Sequence, residues 1–220
     1  MSGFFLSFEG IDGTGKTTQA RLLSDRLAGE GHEVVLTFEP GGTVIGSRIR
    51  EILLLPEHGE MSAITELLLY NAARAQHLAE KIVPAIKEGK IIITDRFSDS
   101  TIAYQCYGRG IDRSLIMSLD RLATGGLLPE LTILFDLDVA QGLLRNKGAN
   151  KTDRLELEDI AFHRRVREGY LEIAKAAPDR ISVVDASLPE AEVHAKVLEI
   201  VKKRLEVRGQ RSEVRGQDGT

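Results

Sequence analysis

At 220 residues, of which 42% are hydrophobic and 28% charged, the chain is long enough to bury one substantial core and has the composition of an ordinary globular domain. A formal net charge of -4 argues against a nucleic-acid scaffold, because phosphate-tracking proteins carry a basic excess on at least one face. Apolar runs such as Ile91-Ile92-Ile93 fall far short of the ~18 residues a membrane span needs, and no basic-then-apolar leader is present, so the expectation is a cytoplasmic protein with no membrane partner.

Taken in chain order, β-rich apolar runs occupy residues 4–8, 34–38, 91–94, 131–137 and 181–184, and stretches of helical periodicity cover 16–27, 62–87, 113–123, 156–176 and 189–206. Pro84 is expected to disturb the last turns of the second helical stretch. Parallel strands need crossover helices and are covered on both faces, which accounts for nearly continuous apolar runs. The fold class is therefore α/β: a three-layer sandwich with a mainly parallel five-stranded sheet flanked by helices, with ligands beyond the strand C-termini. Residues 1–206 read as a single domain with a lid segment at about 145–155, and residues 207–220 as a disordered tail. In that tail Glu-Val-Arg-Gly-Gln at 206–210 recurs at 213–217; a glycine in each copy prevents it from burying a coiled-coil seam. The single cysteine, Cys106, excludes an internal disulfide and reads as an inert, partly buried thiol.

Gly10, Ile11, Asp12, Gly13, Thr14, Gly15, Lys16 and Thr17 fit G-x-x-x-x-G-K-[ST], with Thr18 following. The motif leaves an apolar strand and opens a helix, the context that it requires. Glycines permit a tight backbone whose N–H groups point at phosphate oxygens, and the helix adds its positive end. Lys16 is assigned to the β- and γ-phosphates of a nucleoside triphosphate and Thr17 to Mg²⁺, which leaves open a kinase, a GTPase switch or another machine on the same loop. A second string, Asn150-Lys151-Thr152-Asp153, matches the guanine-reading pattern of GTPases. It lies in a polar stretch beyond a short helix and does not close a buried strand, and no D-x-x-G follows an inner strand, so a switch protein is disfavoured.

On the acceptor side, Asp95-Arg96-Phe97 puts a carboxylate and a guanidinium at the C-terminal end of the third strand. Asp95 can contribute to the metal and phosphate network, and Arg96 offers a planar fork for a phosphate. Glu39-Pro40-Gly41-Gly42-Thr43 closes the second strand with turn residues that let backbone approach a ligand. Tyr70 and Tyr104, taken by themselves, read as core aromatics. His77 and Glu80 share a helix face, but two such ligands make no transition-metal site and read as surface polar residues.

With these motifs in order, the chain resembles the thymidylate kinases, which make dTDP from dTMP and ATP. The resemblance rests on the P-loop, on Thr37-Phe38-Glu39-Pro40-Gly41-Gly42-Thr43 against T-R-E-P-G-G-T, on Asp95-Arg96-Phe97-Ser98-Asp99-Ser100-Thr101, and on Gly108-Arg109-Gly110. It implies that Arg96 holds the acceptor phosphate, that Arg74 contacts the thymine edge, and that Tyr70 stacks on the ring. Ser100, Thr101, Tyr104 and Gln105 line the nucleoside pocket in the same comparison, with Tyr104 against the deoxyribose and Glu39 on the substrate side. Asp12 orients the bridging phosphates or the metal, and a homodimer is expected. The P-loop carries no arginine, whereas Arg145, Lys147, Lys151 and Arg154 lie in or beside the later polar segment. That distribution resembles family members whose lid supplies the cation, and it points to Arg154, with Arg145 second, as closing over the triphosphate. Phe38 stands where the signature has arginine, so that charge is absent or supplied from elsewhere. Another nucleoside monophosphate kinase or a deoxynucleoside kinase on the same scaffold is the alternative.

Overall fold

Five runs of β-branched and aromatic residues form β1 (Phe4–Glu9), β2 (Val34–Phe38), β3 (Ile91–Asp95), β4 (Leu131–Asp136) and β5 (Ile181–Asp185) in the computed structural model, which describes residues 3–147 and 153–217. They pair in parallel in the order β2-β3-β1-β4-β5. The register aligns Phe8 of β1 and Phe38 of β2 with Asp95 of β3, so three chain segments leave the sheet at one level and at one end. The central strands β1, β3 and β4 are almost wholly buried, whereas the edge strands β2 and β5 are partly exposed. Only the central strands thus need to be apolar on both faces.

Side chains alternate across the strands and divide the core. Phe4, Leu6 and Phe8 meet Leu23 and Leu27 of α1 (Lys16–Gly29) and Val197 and Val201 of the last helix. On the opposite face Phe5 and Ile92 meet Ile82 and Phe97. Beside them Leu134 and Ile181 pack with Ile102, Tyr104, Phe162 and Val166. Helix, sheet and helix make the three layers anticipated from the strand pattern.

Between β2 and β3 lie α2 (Val44–Leu54), α3 (Ala63–His77) and α4 (Val83–Lys87). The 62–87 stretch is broken by a wide π-type turn at Leu78–Ile82, immediately before Pro84, whose missing N–H and ring force the ladder to change register. Helix α2 was not anticipated; it starts where Thr43 accepts a hydrogen bond from the Gly46 N–H at 2.9 Å. After β3 come α5 (Ser98–Thr101), a second π-type segment at Ile102–Gly108 and α6 (Arg113–Thr124). Then follow α7 (Val139–Lys147) and α8 (Ile160–Ala176). Helix α8 begins later than the periodicity indicates because Asp159 caps the Phe162 N–H at 2.6 Å.

The last helix, α9, runs Glu190–Gln217, past residue 206, where the sequence reading begins its tail. The anchor is Arg208: its Nη2 donates to the Gly3 carbonyl at 2.8 Å, its Nε pairs with Glu130 at 3.1 Å, and its guanidinium covers Phe4. A glycine costs a helix only about 1 kcal/mol relative to alanine, which such docking offsets. No helix among the described residues is long and apolar enough to cross a membrane.

Candidate active site

The chain leaves β1 directly into the phosphate cradle. Gly13 has φ 79° and its backbone lies against the Gly142 carbonyl of α7, where no side chain fits. Gly15, the N-cap of α1, has no side chain to satisfy the first-turn N–H groups, and that turn holds no acidic residue. The orphan donors are thus left for an anion. Lys16 Nζ folds over the loop onto the Ile11 carbonyl at 2.7 Å and Thr14 Oγ1 at 3.3 Å. Burial, then the Arg96 charge, lowers the Lys16 pKa to about 8 against the pull of Asp12, Asp95 and Glu9. Thr17 Oγ1 donates to Asp95 Oδ2 at 2.5 Å, and Thr18 is exposed one residue on in α1.

Arg96 is the link between cradle and cleft. It is the single described non-glycine residue with positive φ, 74°, a conformation that costs a substituted residue about 1–3 kcal/mol and is retained where the surroundings enforce it. Its Nη1 donates to the Gly10 carbonyl at 3.0 Å and Tyr170 Oη at 3.1 Å, and its Nη2 to Asp12 Oδ1 at 2.6 Å and Tyr104 Oη at 3.3 Å. Burial would raise the Asp12 pKa, but Arg96 and Lys16 overcome it and hold the carboxyl at about 2. Glu9 was missed in the sequence, although an acidic residue ending an apolar strand just before the glycine loop is a usable signal. It is fully buried and accepts from the Phe97 N–H at 2.7 Å and Ser100 Oγ at 2.6 Å. Burial and then Asp99 raise its pKa to about 7, against Ser100, Arg96 and the Phe97 amide.

Beyond Arg96 opens a cleft lined by Asp12, Glu39, Pro40, Arg50, Leu54, Tyr70, Arg96, Ser100, Thr101, Tyr104, Gln105, Asp153 and Leu155. Ser100, Thr101, Tyr104 and Gln105 share one wall because α5 and the π-type segment after it form a continuous helical rod. The wider π turn occurs where helices carry functional side chains. Thr101 Oγ1 is buried with no partner among the described residues, and a hydroxyl left so invites a ligand.

Arg74, which the resemblance assigns to the thymine edge, does not line the cleft here. It is 1% exposed, with Nε on Glu39 Oε2 at 2.8 Å, Nη1 on Asp120 Oδ1 at 3.0 Å, and its guanidinium over Phe97. It stands behind the cleft and holds Glu39 in place. His77 is likewise no surface residue but 0% exposed, between Glu39 Oε1 at 2.9 Å and Thr37 Oγ1 at 2.7 Å; Glu80 is exposed. Helical spacing alone does not tell which face of α3 meets β2.

Phe38 does not leave its corner without a cation. Arg50 of α2 lies 5.6 Å above the Phe38 ring, donates to the Pro40 carbonyl at 3.0 Å and reaches the cleft. Sequence reasoning missed Arg50 because its partners lie ten or more positions away on another element.

Arg154, which the resemblance assigns to the triphosphate, has its partners elsewhere in this structure. It is buried, with its Nε on the Leu53 carbonyl at 3.0 Å and its Nη2 on Glu66, so it faces the floor of the acceptor cleft and not the P-loop. Its own amide donates to Leu54 O at 3.0 Å. Arg145 donates to Ala186 O at 2.9 Å, one turn along α7 from Gly142 and hence on the donor side. Of the lid segment, residues 148–152, with Lys151 and most of the guanine-reading string, lie outside the described residues.

The metal side has an oxygen-only donor set. Thr17 and Asp95 lie together as a hydroxyl and a carboxylate, and no group of three or more His, Cys, Asp or Glu able to hold an ion occurs among the described residues. That fits Mg²⁺, which keeps several waters and takes phosphate oxygens in place of a full protein cage.

A family model described as Thymidylate kinase matches residues 8–197. A thymidylate kinase of Pelotomaculum thermopropionicum is 50% identical over 200 residues, covering 90% of this chain and 93% of that one. One from a Geobacillus species is 49% identical over 203 residues, covering 91% and 97%. Among solved structures, the thymidylate kinase of Ehrlichia chaffeensis superposes with a TM-score of 0.75 at 38% identity, covering 91% of this chain and 99% of its own.

Proposed function

The chain belongs to the thymidylate kinase family, and from that premise we propose that it transfers the γ-phosphoryl group of ATP to dTMP, giving dTDP and ADP. The observation that carries the reading is Arg96, whose guanidinium joins the P-loop carbonyl of Gly10 and the Asp12 carboxylate to the mouth of the cleft. Donor cradle and acceptor cleft are thereby held at a fixed mutual position, which is most of what phosphoryl transfer asks of a protein.

The P-loop amides and Lys16 hold the triphosphate. Arg96 and Arg50 grip the acceptor phosphate, Arg50 supplying the charge that Phe38 lacks. Asp12, kept ionised, holds the Arg96 fork open toward the acceptor. Tyr70 stacks on the base, and Tyr104, whose hydroxyl is tied to Asp12 at 3.2 Å, fills the space that a 2′-hydroxyl would need. Arg145 is the donor-side cation of this scheme. Mg²⁺ on Thr17 and Asp95, when bound, neutralises charge on the β- and γ-phosphate oxygens.

We place the enzyme in the cytosol as a homodimer. Exposed Ile64 and Leu68, one turn apart on α3, and Leu115 and Leu122, two turns apart on the adjoining α6, supply the apolar face. Light scattering on Leu122→Glu, expected to show monomer, tests it.

The experiment for the activity is ADP release from Mg·ATP with dTMP, dUMP, UMP, AMP, CMP, GMP or thymidine as acceptor. Strong acceleration by dTMP is expected, with weaker acceleration by dUMP, since one methyl group discriminates by about 1–3 kcal/mol. Preference for another acceptor would make the protein a different kinase on this scaffold.

A further inference from the structure

Below the base end of the cleft, Glu66 of α3 is wholly buried and meets four donors from three residues on two segments. Gln105 Nε2 and Arg109 Nε donate to Oε1 at 2.8 Å and 3.2 Å. Arg109 Nη2 donates to Oε2 at 3.1 Å, and Arg154 Nη2 to the same oxygen. Burial pushes its pKa up, but Arg109, Gln105 and Arg154 outweigh burial and bring it below the usual range, so the group is an anion that can only accept.

An acceptor-only partner decides which way an amide faces. Gln105 must turn its NH₂ to Glu66, and its carbonyl oxygen points away. Gln105 lines the cleft, and among the described residues no donor meets that oxygen. Thr101, whose hydroxyl also has no partner among the described residues, rotates to donate or accept. It therefore imposes no choice between bases, and the locked amide does.

We propose that Glu66 is a positioning residue for base selection: it fixes Gln105 with its carbonyl toward the ligand, so that the pocket accepts the N3–H of thymine or uracil and rejects cytosine. This rests on the reading of the cleft as a thymidylate site. Cytosine carries a lone pair at N3, and a buried carbonyl facing it has no donor. A site built around a specific hydrogen bond discriminates far more strongly than one that only measures a methyl group.

The test is the ratio of kcat/KM for dTMP to that for dCMP with Mg·ATP, in wild type, Glu66→Gln and Gln105→Leu. In Glu66→Gln the two arginines claim the new amide's oxygen and its NH₂ faces Gln105, which must turn over. The ratio then falls at least about tenfold, with dCMP turnover rising in absolute terms. Gln105→Leu keeps both arginines on Glu66 and lowers the ratio by loss of dTMP turnover alone, so an unchanged ratio there overturns the proposal even if Glu66→Gln fails to fold. A wild-type ratio in Glu66→Gln with a lowered thermal midpoint would make Glu66 a purely structural anchor and overturn the proposal. So would a wild-type ratio in Gln105→Leu. Absence of dTMP-dependent turnover in wild type would instead defeat the thymidylate reading itself.

Discussion

The phosphate cradle and the acceptor cleft are built on opposite plans. The cradle is one contiguous turn, residues 10–17, whose donors are backbone N–H groups and one lysine. The cleft takes its wall from six separate stretches of chain, and its shape depends on ion pairs in and behind that wall, Arg74 to Glu39 and Asp120 in one place and Glu66 to Arg109 and Arg154 in another. A phosphate needs only donors that converge, which a short loop supplies. A flat base with a defined edge needs side chains held at fixed angles, and only buried partners hold them.

The comparison breaks most sharply at Arg74. Arg74→Met leaves Glu39 and Asp120 facing each other without their shared cation, and is expected to destabilise the fold by about 3–5 kcal/mol, read as a shift in the urea midpoint. The ratio of dTMP to dUMP turnover should stay at the wild-type value; a changed ratio at unchanged stability would return Arg74 to the base pocket. In the cradle, Lys16→Ala should leave stability nearly untouched and lower kcat by about 10²–10³, as loss of a single preorganised donor does elsewhere. A kcat within tenfold of wild type would take Lys16 out of the transition state.

Acidity sharpens the contrast further. Lys16 has a pKa lowered from the ordinary lysine range to about 8 in the free protein, so its charge is present below that pH and lost above it. The kcat/KM for ATP, which reports the free enzyme, should fall about tenfold per pH unit on the alkaline side, whereas kcat should stay level further because the bound triphosphate holds the proton on. A kcat/KM profile flat through about pH 9 would contradict this. The smallest effect belongs to Phe38. Removing the ring beneath Arg50 in Phe38→Ala forfeits about 0.5–1 kcal/mol, a two- to fivefold rise in KM for dTMP with kcat and the KM for ATP unchanged. Phe38→Tyr should restore it.

Legibility followed the same division. Gly13, Gly15, Lys16 and Thr17 could be assigned from spacing because strand, loop and helix are consecutive and local sterics dictate the turn. Arg96 was recognisable from its place at a strand end. Arg74 and His77 were not, because helical periodicity shows that residues share a face but not whether that face meets solvent, ligand or Glu39. The partner of Arg154 was hidden for a related reason: a cation in a polar stretch reads as a loop charge until Glu66, 88 positions away, is known to receive it.

The sequence by itself determined the five strands, the parallel sheet and the donor cradle, since alternation of apolar runs and the local demands of a glycine loop act over a few residues. Only the tertiary structure decided the faces: that Glu39 lies between Arg74 and His77, that Arg50 sits on Phe38, that Glu66 gathers Gln105, Arg109 and Arg154, and that α9 continues to Gln217 against Gly3 and Glu130. Each of these is a pairing of buried or half-buried charge across long sequence separations. Its energy depends on distance and burial, which arise only when the elements pack.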